Sequence, residues 1–265
     1  MEKAKLLDRA ASGGEERMLL AKVLDKLEQA QERNIPACTD FLSPQEAASV
    51  RVLLRLAGAG QQEVLFFGGY EGAERQAALF LPDWLETADA VGQFPFRYLR
   101  AAFRPEYQLT HRDLLGSLMG MGIVREKVGD LLVSENGCDL IVLDSVAQFL
   151  LQSWTDAGRA RLAVSEIGPK DLRIPQARCE EVRDTVQTLR LDAVAATGFR
   201  LSRSKAAALI ESGKVQVNWS DCLKPDRLLE QGDVVTARGL GKMELQEVGG
   251  VTRKGRTGIV IRRYL

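Results

Sequence analysis

Residues 15–32 (EERMLLAKVLDKLEQAQE) place Met18, Leu19, Ala21, Val23, Leu24 and Leu27 at helical spacing and fill the remaining positions with charge. That pattern predicts an amphipathic helix. At Ser43 the run SPQE sets a capping hydroxyl, then Pro44 at the first helical position, then Glu46 three residues after the cap. Together they specify a helix start, and the helix is expected to run to about Ala57, where Gly58 and Gly60 end it. VLFFGGYEGAERQAALFLP reads as two short apolar strands joined by a glycine-rich turn. Residues 1–88 are therefore expected to form a small α/β unit.

From Phe94 onward the order of elements is informative. FRYLRAAF predicts a strand, THRDLLGSLMGMG a helix capped by Thr110, KVGDLLVS and CDLIVLD two strands around a turn at Asn136-Gly137, SVAQFLLQSW a helix, and RARLAVSEI a last strand. The order βαββαβ over 89–167 is that of a ferredoxin-like sandwich, an architecture that hosts enzymes, metal sites and RNA-binding domains alike. Base stacking on such a sheet needs aromatic side chains on its central strands. Only the first strand supplies them, with Phe96, Tyr98 and Phe103, while CDLIVLD is aliphatic. Those aromatics either stack bases or simply pack, and Arg97, Arg100, Arg104 and Arg112 are within reach of phosphates on either reading. A polar stretch over 168–188, interrupted by Pro169 and Pro175, is expected to be a linker.

The last part, 189–265, carries two short helices. Leu191 to Thr197 is expected to close at Gly198, and a second helix is capped by Ser202, runs through Ile210 and stops at Gly213. KVQVN and GDVVTAR follow as strands. Arg203 and Lys205 fall in the first turn of the second helix, and Arg200 and Lys214 flank it. Cations beside the free N–H groups of a helix start make a seat for phosphate. In VTRKGRTGIVIRRYL, Arg253, Lys254 and Arg256 fall in a predicted hairpin turn, where they either reach phosphate or are solvated.

Charge changes the picture only when the chain is divided. The whole balances at 36 basic and 36 acidic residues. From Arg190 to the end there are 14 basic and 8 acidic residues, leaving 22 and 28 before it. The basic segment is the one with the helix-start cations, as counterion release at a polyanion favours. Cys38, Cys138, Cys179 and Cys222 lie 40 or more residues apart, too far for a zinc ribbon or redox dithiol pair. No metal and no cofactor is expected. No leader-like apolar segment or membrane-length run is present, so a cytoplasmic location is expected.

RLD, SRSKAAALIESGKVQVN, KP and GD, in that order over about fifty residues, resemble the RNA-binding domain first described in ribosomal protein S4. The resemblance implies RNA contact by Arg190, Arg203, Lys205, Lys214, Asn218 and Lys224. Local turn and cap hydrogen bonds are the alternative role for Asp192 and Asn218. FFGGYEGAERQAALFLP, FPFRYLRAAF and the C-terminal module together resemble the YlmH family, also known as photosystem II S4 domain proteins. An α+β protein is thus expected, non-catalytic, binding structured RNA (ribosomal or transfer RNA) on the large ribosomal subunit. The resemblance also implies a role in rescuing stalled ribosomes, or in cell division, with a protein partner possible through the N-terminal unit.

Enzyme readings find little support in the residues. RLD also occurs in pseudouridine synthases, whose nucleophile is the Asp, but here it lies inside the RNA-binding module. FFGGYEG joins two strands, whereas a dinucleotide-type glycine turn joins strand to helix. The single histidine, His111, follows a helix cap and reads as a surface residue.

Overall fold

The computed structural model describes residues 3–60, 63–175, 179–253 and 255–264, and divides into two compact units, 1–175 and 176–265. In the first unit α1 (Lys3–Ala10), α2 (Gly14–Arg33) and α3 (Pro44–Ala57) pack against an antiparallel sheet of β1 (Ala37–Cys38), β2 (Val64–Phe67) and β3 (Ala77–Phe80). The strand order is β1-β3-β2. The predicted capping box is present: Ser43 Oγ accepts from the Glu46 amide at 3.3 Å, and Glu46 Oε2 accepts from the Ser43 amide at 2.6 Å. Gly58 ends α3 with φ +78°, a conformation glycine adopts without steric cost. Leu20, Val23, Val50, Leu53 and Phe80 form the centre of this core. Neither α1 nor β1 is visible in the pattern, because eight and two residues are too few to show a period.

The chain continues with β4 (Phe96–Ala102), α4 (His111–Gly120), β5 (Val128–Ser134), β6 (Gly137–Leu143), α5 (Asp144–Ser153), β7 (Asp156–Ala157), β8 (Ala160–Arg161) and β9 (Ala163–Ile167). Four of these strands form an antiparallel sheet in the order β5-β6-β4-β9. The single last strand expected over RARLAVSEI is divided: Ala160–Arg161 pairs back on β7, and Ala163–Ile167 pairs with β4. Thr110 caps α4 as expected, with Asp113 completing the box. Leu99, Leu114, Leu118, Leu140, Leu150 and Trp154 bury one face of the sheet under α4 and α5.

The opposite face is covered too, which explains why every residue of β6 is buried. Phe41 stacks on Phe96 with ring centroids 4.8 Å apart and planes 15° apart. Ile141, Leu143 and Leu132 join Phe41, and Tyr70, Tyr98 and Leu172 pack around them. Asp130 of β5 accepts from the Tyr70 hydroxyl at 2.9 Å and from the Glu74 and Arg75 amides at 2.7 and 3.1 Å. The Arg75 guanidinium donates to Phe41 O at 3.0 Å and to Val128 O at 3.1 Å. The α/β unit expected over 1–88 therefore shares a core with the following sheet, and 1–175 is one body.

The expected linker over 168–188 is also corrected. Its first part folds back on the sheet: the buried Asp139 carboxylate accepts from Arg100 at 2.6 and 2.7 Å and from the Arg173 amide at 2.7 Å, while Arg100 also donates to Asp171 O at 2.7 Å. Its second part is strand β10 (Cys179–Val186), paired with β15 over its whole length. Only Val182 and Val186 face inward among acidic and basic neighbours, so alternation is hidden.

The second unit adds α6 (Leu191–Gly198), α7 (Arg203–Glu211), β11 (Val215–Val217), β12 (Ser220–Asp221), β13 (Val234–Ala237), β14 (Gly241–Val251) and β15 (Thr257–Tyr264). The six strands are antiparallel in the order β10-β15-β14-β13-β11-β12. α6 ends at Gly198 as expected, but Gly198 is its last helical residue and does not have a left-handed conformation. A Cβ there would fall 2.1 Å from Met243 Sδ, so the glycine permits helix and sheet to touch. The left-handed residue is Arg200, with φ +56°.

Gly68 allows a comparable approach, here against backbone, since a Cβ would lie 2.2 Å from Arg75 O and 2.5 Å from Ala73 Cβ. Gly68→Ala is expected to destabilise the first unit by about 2–3 kcal/mol, through overpacking against backbone. Gly92→Ala, whose Cβ would meet nothing within 4 Å, is expected to stay within about 0.5 kcal/mol of wild type in the same thermal unfolding experiment.

Candidate nucleic-acid interface

The basic surface of the second unit is organised by one carboxylate. Asp192 is in the first turn of α6, where a negative charge suits the helix dipole, and its side chain is buried. The α6 start is pinned by the loop after β12: the Leu191 amide donates to Arg227 O at 2.7 Å, and the Asp192 amide to Pro225 O at 3.0 Å. From two residues earlier, at the N-cap of α6, Arg190 reaches forward as a fork, Nε to Oδ1 at 3.2 Å and Nη2 to Oδ2 at 3.0 Å. From the start of α7 the Arg203 Nη2 donates to both oxygens at 3.2 Å.

Burial alone would raise the Asp192 pKa, but the hydrogen bonds from Arg190 and Arg203 and their charges outweigh it and hold the pKa below its ordinary 3.8. The arginines stay accessible, with 35% of the Arg190 side chain and 54% of the Arg203 side chain exposed. Three positive, outward-facing lysines accompany them. Lys205 is in the first turn of α7, which Ser202 caps through the Lys205 amide at 3.3 Å. Lys214 enters β11 after Gly213, whose φ is +69°, and Lys224 precedes the loop that pins α6. All three are exposed and make no ion pair among the described residues.

Other expected contacts are differently occupied. Arg200 is ion-paired with Glu180 of β10. Asn218 uses its whole amide in the turn: Nδ2 donates to Asp233 at 2.7 Å and Oδ1 accepts from the Val234 amide at 2.9 Å. Its left-handed φ of +50° is one that asparagine tolerates. Arg256 donates to Thr185 O, while Arg253 is exposed at the tip of the β14–β15 hairpin. Strands β13 and β14 separate β15 from the strand that Lys214 enters. Lys254 lies outside the described residues.

Two cations escaped the sequence reading. Arg227 supplies the carbonyl that receives the Leu191 amide, and the Arg238 amide donates to Lys214 O at 2.9 Å. Both are exposed. For Arg238 a signal existed, because it follows the strand VVTA that pairs with β11.

In the first unit the question left open for the middle sheet is answered by packing. Phe103 is in the core under α4 and α5, and Phe96 and Tyr98 are covered by Phe41 and Tyr70. Arg97 is paired with Asp144 and Glu166, and Arg100 with Asp139, whereas Arg104 stays largely exposed although it pairs with Glu106 at 3.7 Å, and Arg112 is exposed.

Three family models match the chain: the YlmH N-terminal domain over 15–82, the proposed RNA-binding domain of YlmH over 103–171, and the S4 domain over 189–235. A Bacillus subtilis (strain 168) protein named ribosome-associated protein quality control protein P2 is 34% identical over 250 residues, covering 94% of this chain and 95% of that protein. The chain belongs to the YlmH family. Cell division protein ylmH from Streptococcus pneumoniae shares the fold with a TM-score of 0.51 at 17% identity, over 62% of this chain and 98% of that one. Within this YlmH chain, the S4 match spans Asp192 and the two arginines on it, Arg190 and Arg203, together with Lys205, Lys214, Lys224 and Arg227.

A depressed folded-state pKa means that the Asp192 contribution is fully present above pH 3.8 and is lost as pH falls through the lower folded value. Asp192→Asn is expected to destabilise the second unit at neutral pH, on the order of 1 kcal/mol after screening of the exposed arginines. The deficit relative to wild type should shrink in acid. Urea unfolding of both proteins at neutral and acid pH measures it.

Proposed function

We propose that this YlmH-family chain is a non-catalytic RNA-binding protein whose S4 domain grips ribosomal or transfer RNA on the large ribosomal subunit, in the cytoplasm, and acts in rescuing stalled ribosomes. The observation that carries the reading is the arginine pair held side by side on buried Asp192, with Lys205, Lys214 and Lys224 exposed around it. A fixed guanidinium pair matches phosphate oxygens in a way that mobile lysines do not. The ribosome is suggested by the name of the Bacillus subtilis relative.

The strand order β5-β6-β4-β9 supports reading the middle sheet as ferredoxin-like. With both faces of that sheet occupied, base stacking on it is disfavoured, and its contribution to RNA binding falls to exposed cations such as Arg104 and Arg112. A pseudouridine-synthase role for Asp192 is disfavoured as well, because two guanidiniums occupy its carboxylate.

Sedimentation with purified ribosomal subunits across a salt series tests the proposal. Binding by the wild type is expected to weaken with a log-log slope of about −3.5 to −4.5 for five phosphate contacts, between the single-strand and duplex coefficients. The double variant Lys205→Glu, Lys214→Glu, at two exposed lysines that do not touch Asp192, should lose co-sedimentation while its circular dichroism is unchanged. Failure of the wild type to bind either subunit would sink the ribosomal assignment and move it to free transfer RNA.

A further inference from the structure

Away from the S4 domain, the first unit has a groove of about 490 Å³ between α3 and β2, lined by Arg51, Leu54, Arg55, Ala59, Val64 and Phe66. Its chemistry is unlike its surroundings. The segment 1–189 is acidic, with 22 basic and 28 acidic residues, yet two arginines one helical turn apart share this rim. The Arg51 guanidinium sits 3.7 Å over the Phe66 ring and donates to Gln76 Oε1 at 3.0 Å, and Arg55 Nε donates to Arg51 O at 3.3 Å. Among the described residues neither has a carboxylate in ion-pair contact. Burial, and then the charge of Arg55, push the Arg51 pKa down.

The wall opposite the helix is a free strand edge. Among the described residues β2 is the last strand of its sheet and pairs only with β3. Such a strand turns half of its backbone N–H and C=O groups outward. Charged or proline residues usually blunt an exposed edge, and Val64–Phe67 has neither. Val64 and Phe66 face the helical core, and Leu65 between them also lines the groove, so the groove is apolar along the strand and open at its edge.

We propose that this groove is a docking site for an extended peptide of a partner protein, which adds as a strand to the free edge of β2 and presents a carboxylate to Arg51 and Arg55. The three features call for one occupant. Outward backbone groups are matched by another extended chain, the apolar lining takes its apolar side chains, and two unneutralised guanidiniums take an acidic side chain or a C-terminal carboxylate. A nucleic acid would satisfy the arginines and leave the strand edge unused. The proposal is independent of the RNA reading, since it concerns neither the S4 domain nor its cations.

The test is selection of a displayed library of short random peptides with free C-termini on the full-length chain, followed by anisotropy titration of the enriched sequences. Enriched peptides are expected to combine a carboxylate with alternating apolar residues. Arg55→Glu leaves Arg51 on Phe66, so it keeps the groove packing and should weaken binding at least about tenfold. Methylating alternate backbone nitrogens of the peptide should weaken binding as much in one register and little in the other, which charge attraction alone would not do. Absence of enrichment, or affinity indifferent to Arg55→Glu or to methylation in both registers, overturns the proposal. So does tight binding of a labelled random-sequence RNA that Arg55→Glu abolishes, since the groove would then be a nucleic-acid site. Arg203→Glu, placed in the other unit, should leave peptide binding unchanged.

Discussion

A buried carboxylate is unstable in a protein interior unless cations and hydrogen bonds replace the water it has lost. Asp192 meets that requirement by drawing in the residue two before it and the first residue of the next helix. The requirement of a single side chain thus fixes the relation of α6 to α7 and sets two guanidiniums next to each other. Because each arginine remains partly in water, the arrangement leaves outward-facing positive charge with restricted freedom. A polyanion binding at this surface would meet groups already ordered, at a lower entropic cost.

The first unit uses the same chemistry to a different end. Asp139 also gathers an arginine and a backbone amide, but Arg100 there is 19% exposed and Asp139 3%. Its charge is consumed internally and ties the segment after β9 to the sheet. The contrast explains why the number of arginines, 14 in 1–175 and 11 in 176–265, does not by itself locate an outward-facing basic surface. What matters is how much of the cation faces solvent once its carboxylate is satisfied.

Much of this was legible in the chain itself. Caps at Ser43, Thr110 and Ser202 announced α3, α4 and α7, and apolar patterning located the strands of the four-stranded sheet and, in the six-stranded one, β11, β13 and the β14–β15 hairpin. The cations of the S4 domain were visible as a cluster around one helix start. The unreadable part is non-local. Nothing near Arg200 indicates that Glu180 will neutralise it, and nothing near Asn218 indicates Asp233 fifteen residues on. β10 looked like linker because its partner, β15, lies at the far end of the unit's sequence. Gly198 resembled a helix stop, and only the position of Met243 reveals a packing role.

The ring contact between Phe41 and Phe96 joins positions 55 residues apart along the chain. A fragment begun near residue 89 would keep the four-stranded sheet and remove its cover, baring Phe96 and Tyr98 beside Ile141 and Leu143. Such a surface is close to what stacks unpaired bases in domains that use the open sheet. Cutting this protein at the boundary its element order suggests would therefore create an adhesive aromatic face that the intact chain does not possess, and RNA captured by the fragment would report on the cut.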